Sequence, residues 1–197
     1  MTEKQEHTTN LLGAAVVSKT HPRIELRGRL DEFNARIILL QAQARDAGEE
    51  QLEADLEELR GSVTNLMACE VRDVPCVELS LWGLSEEEIH QRSHYPERYY
   101  GLGHILPHAD MGRWAAELNL LRTLVREVEL CACRAFASPV GEFGGAKQPS
   151  ELQCEEGGVT RPDFIKVLNR LSSALYILTY KYLPEGYDRV IHFGRKA

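Results

Sequence analysis

The chain has 197 residues, 43% of them hydrophobic and 27% charged, which is the composition of one globular domain with its own core and not of a disordered or fibrous chain. Lys and Arg number 23 against 30 Asp and Glu, a formal net charge of −7. That balance argues against a nucleic-acid binder or a basic membrane-surface protein and still allows a local cationic pocket for a small anion. No stretch nears the roughly 20 apolar residues of a membrane span. The polar start Met1-Thr-Glu-Lys-Gln-Glu-His7 lacks the apolar centre of a signal peptide. Five cysteines (Cys69, Cys76, Cys131, Cys133 and Cys154) are irregularly spaced with no CxxC pair, as expected of reduced thiols in a cytoplasmic protein.

Residues 1–29 read as an irregular or extended arm, in which Val16 and Val17 suit a short strand and Pro22 disfavours helix at His21. From Leu30 the apolar residues Phe33, Ile37, Leu40 and Ala44 recur at three and four, predicting a helix that ends at Ala47-Gly48. A second helix is predicted on Leu52, Leu56, Leu59, Val63 and Leu66, with acidic residues crowding its start. Residues 71–84 read as a connection with an extended piece at Val77–Trp82. Ser85-Glu-Glu-Glu88 is a capping box for a short helix to about Arg92. Residues 93–110 read as a loop.

The longest helix is predicted over Met111–Ala137, with Trp114, Leu118, Leu121, Val125 and Val128 as its stripe. Residues 138–160, rich in glycine, read as a flexible loop. Thr160 is the expected cap of a last helix with Pro162 in its first turn, carrying Phe164 to Leu178 and ending before Pro184. The tail 185–197 is expected to be loose. The pattern predicts a single all-α domain, an up-and-down five-helix bundle over 30–183 with four long or medium helices and one short one.

Three polar clusters exceed what a plain bundle needs. Lys19, Arg23, Arg27 and Arg29 lie within eleven residues and lead into Asp31 and Asn34, which suits either a polyanion cradle or a solvated basic arm. Arg122 and Arg126 are one helical turn apart, with Glu129 three further on. This spacing fits an anion site or a surface ion-pair ladder. Asn169, Ser172 and Ser173 sit inside an apolar helix and need partners, which hydrogen bonds fixing helix register would supply. His90/His94 and His104/His108 are each four apart, but the spacing offers no third ligand, so no metal site is assigned.

Taken together, the clusters resemble the signature of the cob(I)alamin adenosyltransferases of the propanediol-utilisation type, and more closely their ethanolamine-utilisation relatives. Lys19-Thr-His-Pro-Arg23-Ile-Glu-Leu-Arg27-Gly28-Arg29-Leu-Asp31-Glu32-Phe33-Asn34 resembles one family run. Ile105-Leu-Pro107 followed by Arg122-Thr-Leu-Val-Arg126-Glu-Val-Glu129 resembles a second, and Leu168-Asn-Arg-Leu-Ser172 a third, in the family's order. Glu6-His-Thr8, Ser93-His-Tyr-Pro96 and Leu171-Ser-Ser-Ala-Leu-Tyr176 look like the ethanolamine branch. The sequence departs from the family in lacking its glycine-rich phosphate loop within residues 1–18. It also carries His104 where the family has an aromatic residue, and His108-Ala109 for a Gly-Gly. Glu127 replaces a second Arg, and Ser173 replaces an Asp. The longer ethanolamine enzymes carry an N-terminal metal motif, and this sequence is read as starting after it.

The resemblance implies a five-helix bundle, usually a trimer, that transfers the 5′-deoxyadenosyl group of ATP to cob(I)alamin, with ATP and the corrinoid near subunit interfaces. It implies that Lys19, Arg23, Arg27 and Arg126 serve the ATP phosphates with Mg²⁺ alongside. Asp31 and Arg122 would form an ion pair beside the site, Glu129 and Asn169 would hold the adenosine and ribose, and His104 would lie in the loop that displaces the cobalamin lower ligand. A cobalamin-dependent lyase, dehydratase or reductase is the expected partner, and the cytoplasm or a bacterial microcompartment the expected location. A non-catalytic corrinoid or ATP carrier and a microcompartment docking protein are the alternatives on the same bundle.

Overall fold

The computed structural model describes residues 5–137 and 158–191. Among them, four long helices form the body: α1 Pro22–Asp46, α2 Glu50–Arg72, α5 Gly112–Ala135 and α6 Pro162–Lys181. Two short ones lie between, α3 Glu86–His94 and α4 Pro96–Tyr100. A hairpin of β1 Thr8–Asn10 and β2 Val16–Ser18 precedes the bundle, and β3 His104–Ile105 pairs antiparallel with β4 Val190–Ile191 near its other end. Helix α1 packs on α2 and α5, α5 on α6, and α3 on α6. The mostly helical bundle expected from periodicity is therefore present.

The core is drawn from the predicted stripes. Leu26, Leu30, Phe33 and Ile37 of α1 meet Leu52, Leu56, Leu59 and Val63 of α2, Leu118 and Val125 of α5, and Phe164, Leu168, Leu171 and Leu175 of α6, all buried. Each such side chain contributes about 1.5–3 kcal/mol through apolar burial. A smaller cluster of Ile105, Met111, Ala115, Tyr180 and Tyr187 binds the 104–111 segment and the C-terminal segment onto α5 and α6.

Several boundaries differ from expectation, each for a local reason. Helix α1 begins at Pro22, not Leu30. Proline occupies the first turn, where its missing N–H is no loss, and His21 caps the helix by accepting from the Arg23 backbone N–H at 3.2 Å. Residues 22–29 of the predicted arm are thus helical, and Arg23, Arg27 and Asp31 are fixed at helical spacing. In place of an extended piece at Val77–Trp82, Leu81 and Leu84 bracket a tight turn with Trp82 and Gly83 at φ 53° and 72°. The loop 93–110 contains α4, β3 and a 3-10 turn at Ala109–Met111. The tail expected to be loose is pinned by β4 and by buried Tyr187 as far as residue 191. Thr160 does not cap α6; its hydroxyl donates to the Phe136 carbonyl, and Arg161 holds the cap position. Most of the loop expected over 138–160 lies outside the described residues.

One buried carboxylate ties three elements. Asp55 of α2 accepts from Lys181 Nζ at 2.7 Å, from the Tyr182 hydroxyl at 2.6 Å and from Gln51 Nε2 at 3.1 Å. Its backbone carbonyl accepts from Trp82 Nε1 at 3.1 Å. Replacing Asp55 by Ala leaves the Tyr182 hydroxyl without its acceptor and lowers unfolding stability by about 1–3 kcal/mol. Urea unfolding measures this, and a loss under about 0.5 kcal/mol, the range of an ordinary surface substitution, would show that the network does not hold α2 to α6.

Candidate functional site

The core stripe of α5 fixes its rotation. With Leu118, Leu121, Val125 and Val128 turned inward, Arg122, Arg126 and Glu129 form a second stripe at i, i+4 and i+7. Helix α6 offers a matching stripe of Asn169, Ser172, Ser173 and Tyr176. Between these stripes and the β3 loop lies a cleft of about 380 Å³, lined among others by His104, Asn119, Arg122, Arg126, Ser172 and Tyr176. The Arg122 guanidinium stacks over the Tyr176 ring, 5.3 Å from its centroid. Burial, and then the neighbouring Arg126 charge, lower its pKa from the ordinary value. Neither arginine is ion-paired to a described residue; Glu129 is instead bonded to Asn169 Nδ2 at 3.1 Å. Among the described residues the ladder reading therefore does not hold, and two like charges face the cleft without a described carboxylate paired to them.

His104 lines this cleft and also a larger one of about 750 Å³ beside it, whose wall includes Tyr95, Arg98, Tyr187 and Asp188. Its Nδ1 lies 2.9 Å from the Tyr176 hydroxyl. The loop carrying it is strapped from outside by the C-terminal segment. The Tyr187 hydroxyl donates to the Leu106 carbonyl at 2.5 Å, the Leu106 N–H donates to the Arg189 carbonyl at 2.9 Å, and Arg189 Nε meets Asp110 at 2.7 Å. Gly103 suits this closeness, since a Cβ there would lie 3.1 Å from the Ile191 carbonyl oxygen and the strap would have to give by a few tenths of an ångström.

The basic cluster at the start of α1 sits elsewhere. Glu70 of α2 has a fully buried side chain, which accepts from Arg23 Nε at 2.7 Å and from Arg27 Nε at 2.5 Å. Arg23 also donates to the Glu70 carbonyl at 3.0 Å and to Asp73 at 3.2 Å, while Arg27 reaches the Leu11 carbonyl at 2.8 Å. Arg23 stacks on Phe136, just past the end of α5, at 5.4 Å. Phe136 is ten residues beyond Arg126, about 15 Å along the helix axis. Lys19 is exposed past β2, and Asp31 is exposed on α1. Within the chain the structure thus brings together His104, Arg122 and Arg126, with Glu129 and Asn169 one turn further along. It does not join them to Lys19, Arg23 or Arg27, and among the described residues no ion pair links Asp31 with Arg122.

Residue-type reasoning alone did not single out Tyr176, Asn119 and Ser93 as parts of the cleft. Tyr176 was legible as the last member of the polar 169–172–173–176 stripe, which repeats at the same interval as the arginine stripe opposite. Ser93 and Asn119 carry no such signal, because only the packing of α3 and α5 on α6 brings them to the cleft. The His90 and His94 rings lie 4.1 Å apart, with His94 Nδ1 at 3.1 Å from the His90 carbonyl oxygen, and His108 Nδ1 accepts from the Asp110 N–H. Among the described residues no group of three or more His, Cys, Asp and Glu is arranged to hold a metal ion.

A family model described as cobalamin adenosyltransferase matches residues 1–182. The chain is 35% identical over 176 residues to the corrinoid adenosyltransferase EutT of Salmonella typhimurium, covering 89% of this chain and 58% of that protein. It is 34% identical over 176 residues to the corrinoid adenosyltransferase EutT of Escherichia coli K12, with the same coverage. The chain therefore spans a little over half the length of the curated relatives it matches.

Glu70 is the anchor of the α1 start. Glu70→Ala leaves Arg23 and Arg27 without their shared carboxylate and is expected to cost about 3 kcal/mol or more of stability. Chemical denaturation tests this against Glu32→Ala, which removes only the exposed pair with Arg29 and should cost under about 1 kcal/mol. Equal small losses would contradict the assignment.

Proposed function

Because the chain belongs to the cobalamin adenosyltransferase family, we propose that it transfers the 5′-deoxyadenosyl group of ATP to the cobalt of cob(I)alamin, giving adenosylcobalamin. The observation that carries the reading is the pair Arg122 and Arg126, uncompensated by any described carboxylate and facing the cleft beside His104. The electron pair of Co(I) attacks C5′ of the ribose, the C5′–oxygen bond breaks, and triphosphate leaves. The substrate supplies the nucleophile, so the protein's work is to align C5′ with cobalt and to stabilise the charge that builds on the leaving polyphosphate.

Arg126, exposed at the cleft, meets the phosphates, and Arg122 behind it adds a second positive charge held in place by Tyr176. Glu129 and Asn169 present an acceptor and a donor to the ribose and adenine. Arg23 and Arg27 are committed to Glu70, which leaves Lys19 as the arm cation free to reach a phosphate, with Arg23 shaping the arm beneath it. Along the bundle the arm lies too far from Arg126 to share one triphosphate, so a neighbouring copy supplies it. A homo-oligomer, with a trimer favoured by the family resemblance, satisfies this. The exposed Asp31 of one copy then has an unpaired arginine, Arg122, to meet in another. Mg²⁺ enters with the nucleotide, held by phosphate oxygens, since no described carboxylate cluster offers it a cage. Adenosylcobalamin made here would serve a cobalamin-dependent lyase of the ethanolamine type, in the cytoplasm or a microcompartment.

The test is direct. Purified protein, ATP, Mg²⁺ and chemically reduced cobalamin under anoxia should give the visible spectrum of adenosylcobalamin. Tight corrinoid binding with no turnover would identify a carrier instead. Arg126→Ala should lower kcat/KM for ATP at least tenfold, about 1.4 kcal/mol or more, and unchanged kinetics would remove Arg126 from the site. Asp31→Asn should reduce activity more than it reduces thermal stability; equal losses would mark Asp31 as a structural residue.

A further inference from the structure

Four polar groups around His104 form one directed chain of hydrogen bonds. The Tyr180 hydroxyl lies 2.8 Å from the Gly103 carbonyl oxygen, which can only accept, so Tyr180 spends its one proton there. The Tyr180 hydroxyl oxygen in turn accepts from the Ile105 backbone N–H at 3.3 Å. Tyr176 and Tyr180 hydroxyls lie 2.9 Å apart, and since the Tyr180 proton is used, Tyr176 is the donor between them. Tyr176 then has no proton left for His104, 2.9 Å away, and must accept from its Nδ1. Every direction in the chain follows from the first carbonyl.

We propose that Tyr176 and Tyr180 are positioning residues for His104. Their hydroxyl chain, ending on the Gly103 carbonyl, holds the neutral imidazole proton on Nδ1, so that any bond His104 makes to the corrinoid is made by Nε2 as an acceptor. The corrin periphery carries carboxamide N–H groups that suit such an acceptor. This rests on the adenosyltransferase reading for the identity of the substrate, whereas the tautomer is argued from the hydrogen-bond directions at Nδ1.

Tyr180 grips the loop on both sides of His104, through the carbonyl before it and the N–H after it. Its position is fixed in turn by stacking on Tyr100, with ring centroids 4.8 Å apart, and the His104 ring lies nearly parallel to Tyr176, with an interplanar angle of 15°. Burial, and then the bond to Tyr176, push the Tyr180 hydroxyl well above the ordinary tyrosine range, so it stays protonated as the chain requires. One residue therefore sets the backbone position of the His104 loop and, through Tyr176, the protonation pattern of its ring.

The experiment is long-range proton–nitrogen NMR of the purified full chain labelled with nitrogen-15 at histidine, with His104 assigned by the signals lost in His104→Ala. The wild type, without substrate, should show a protonated Nδ1 and an unprotonated Nε2. In Tyr180→Phe the Tyr176 proton loses its acceptor and turns toward Nδ1, so the ring should switch to the Nε2–H form. Tyr176→Phe, at a half-buried position, should likewise lose the Nδ1–H pattern and serves if Tyr180→Phe fails to fold. A wild-type ring protonated at Nε2 alone would overturn the chain. In the adenosylation assay both variants should raise KM for the corrinoid at least about fivefold while KM for ATP stays within about twofold. Unchanged corrinoid KM in an active enzyme would overturn the positioning role. An inactive wild type would instead overturn the adenosyltransferase reading, while the NMR pattern still decides the tautomer.

Discussion

A buried carboxylate decides how this molecule uses its positive charge. Glu70 has no exposed side-chain surface, and an ionised group in that position is tolerable only with cations against it. Arg23 and Arg27, one helical turn apart on α1, are those cations. The requirement fixes the first turns of α1 against the end of α2, and Arg27 also donates to the Leu11 carbonyl in the β1–β2 hairpin. It also withdraws two of the arm's cations from any ligand. Among the cations singled out for the site, Lys19 stays exposed at one end of the bundle, and the Arg122–Arg126 pair lines the cleft well along α5. With Arg23 and Arg27 committed to Glu70, the proposed chemistry draws its arm cation from another copy.

The second organising feature is the pairing of unlike stripes across the α5–α6 interface. Below the surface both helices contribute apolar residues, and their packing is dense. At the surface the two helices part around a polar seam, arginines from α5 and hydroxyls and amides from α6. The Glu129–Asn169 bond closes the seam at one end and Tyr176 at the other. The β3–β4 strap and the small Ile105–Met111–Tyr180 cluster form a floor beside it, so the His104 loop belongs to a packed layer of its own. That arrangement gives the cleft walls built from two packed helices and a short two-stranded strap.

Much of this was legible in the sequence, because helical periodicity is set by core burial. The stripes Leu30–Ala44, Leu52–Leu66, Leu118–Val128 and Phe164–Leu178 are the observed cores of α1, α2, α5 and α6. The Ser85–Glu88 capping box stands at the start of α3 as expected. Less legible was the start of α1, where Pro22 signals a first helical turn as readily as a break. The sequence neighbourhood of Arg23 and Arg27 suited either an anion cradle or a solvated basic arm, because their partner is 43 to 47 positions away. Glu70 itself carries no local signal, being one of several acidic residues on α2. The tail was unreadable for the same reason, since Tyr187 and Val190 are held by a loop some eighty residues earlier. Motif order identified the family, whereas which cations face inward followed only from packing.

The central claim is that the arm of one copy and the α5 arginines of another make one nucleotide site. Lys19→Ala and Arg126→Ala, each expected to be nearly inactive, would be combined in one oligomer by co-expression and assayed for adenosylcobalamin formation. A site shared between copies regenerates intact pairs in the mixture, and activity should return to about a quarter of wild type, the fraction of interfaces receiving both native residues. Activity no higher than that of either variant alone would contradict it.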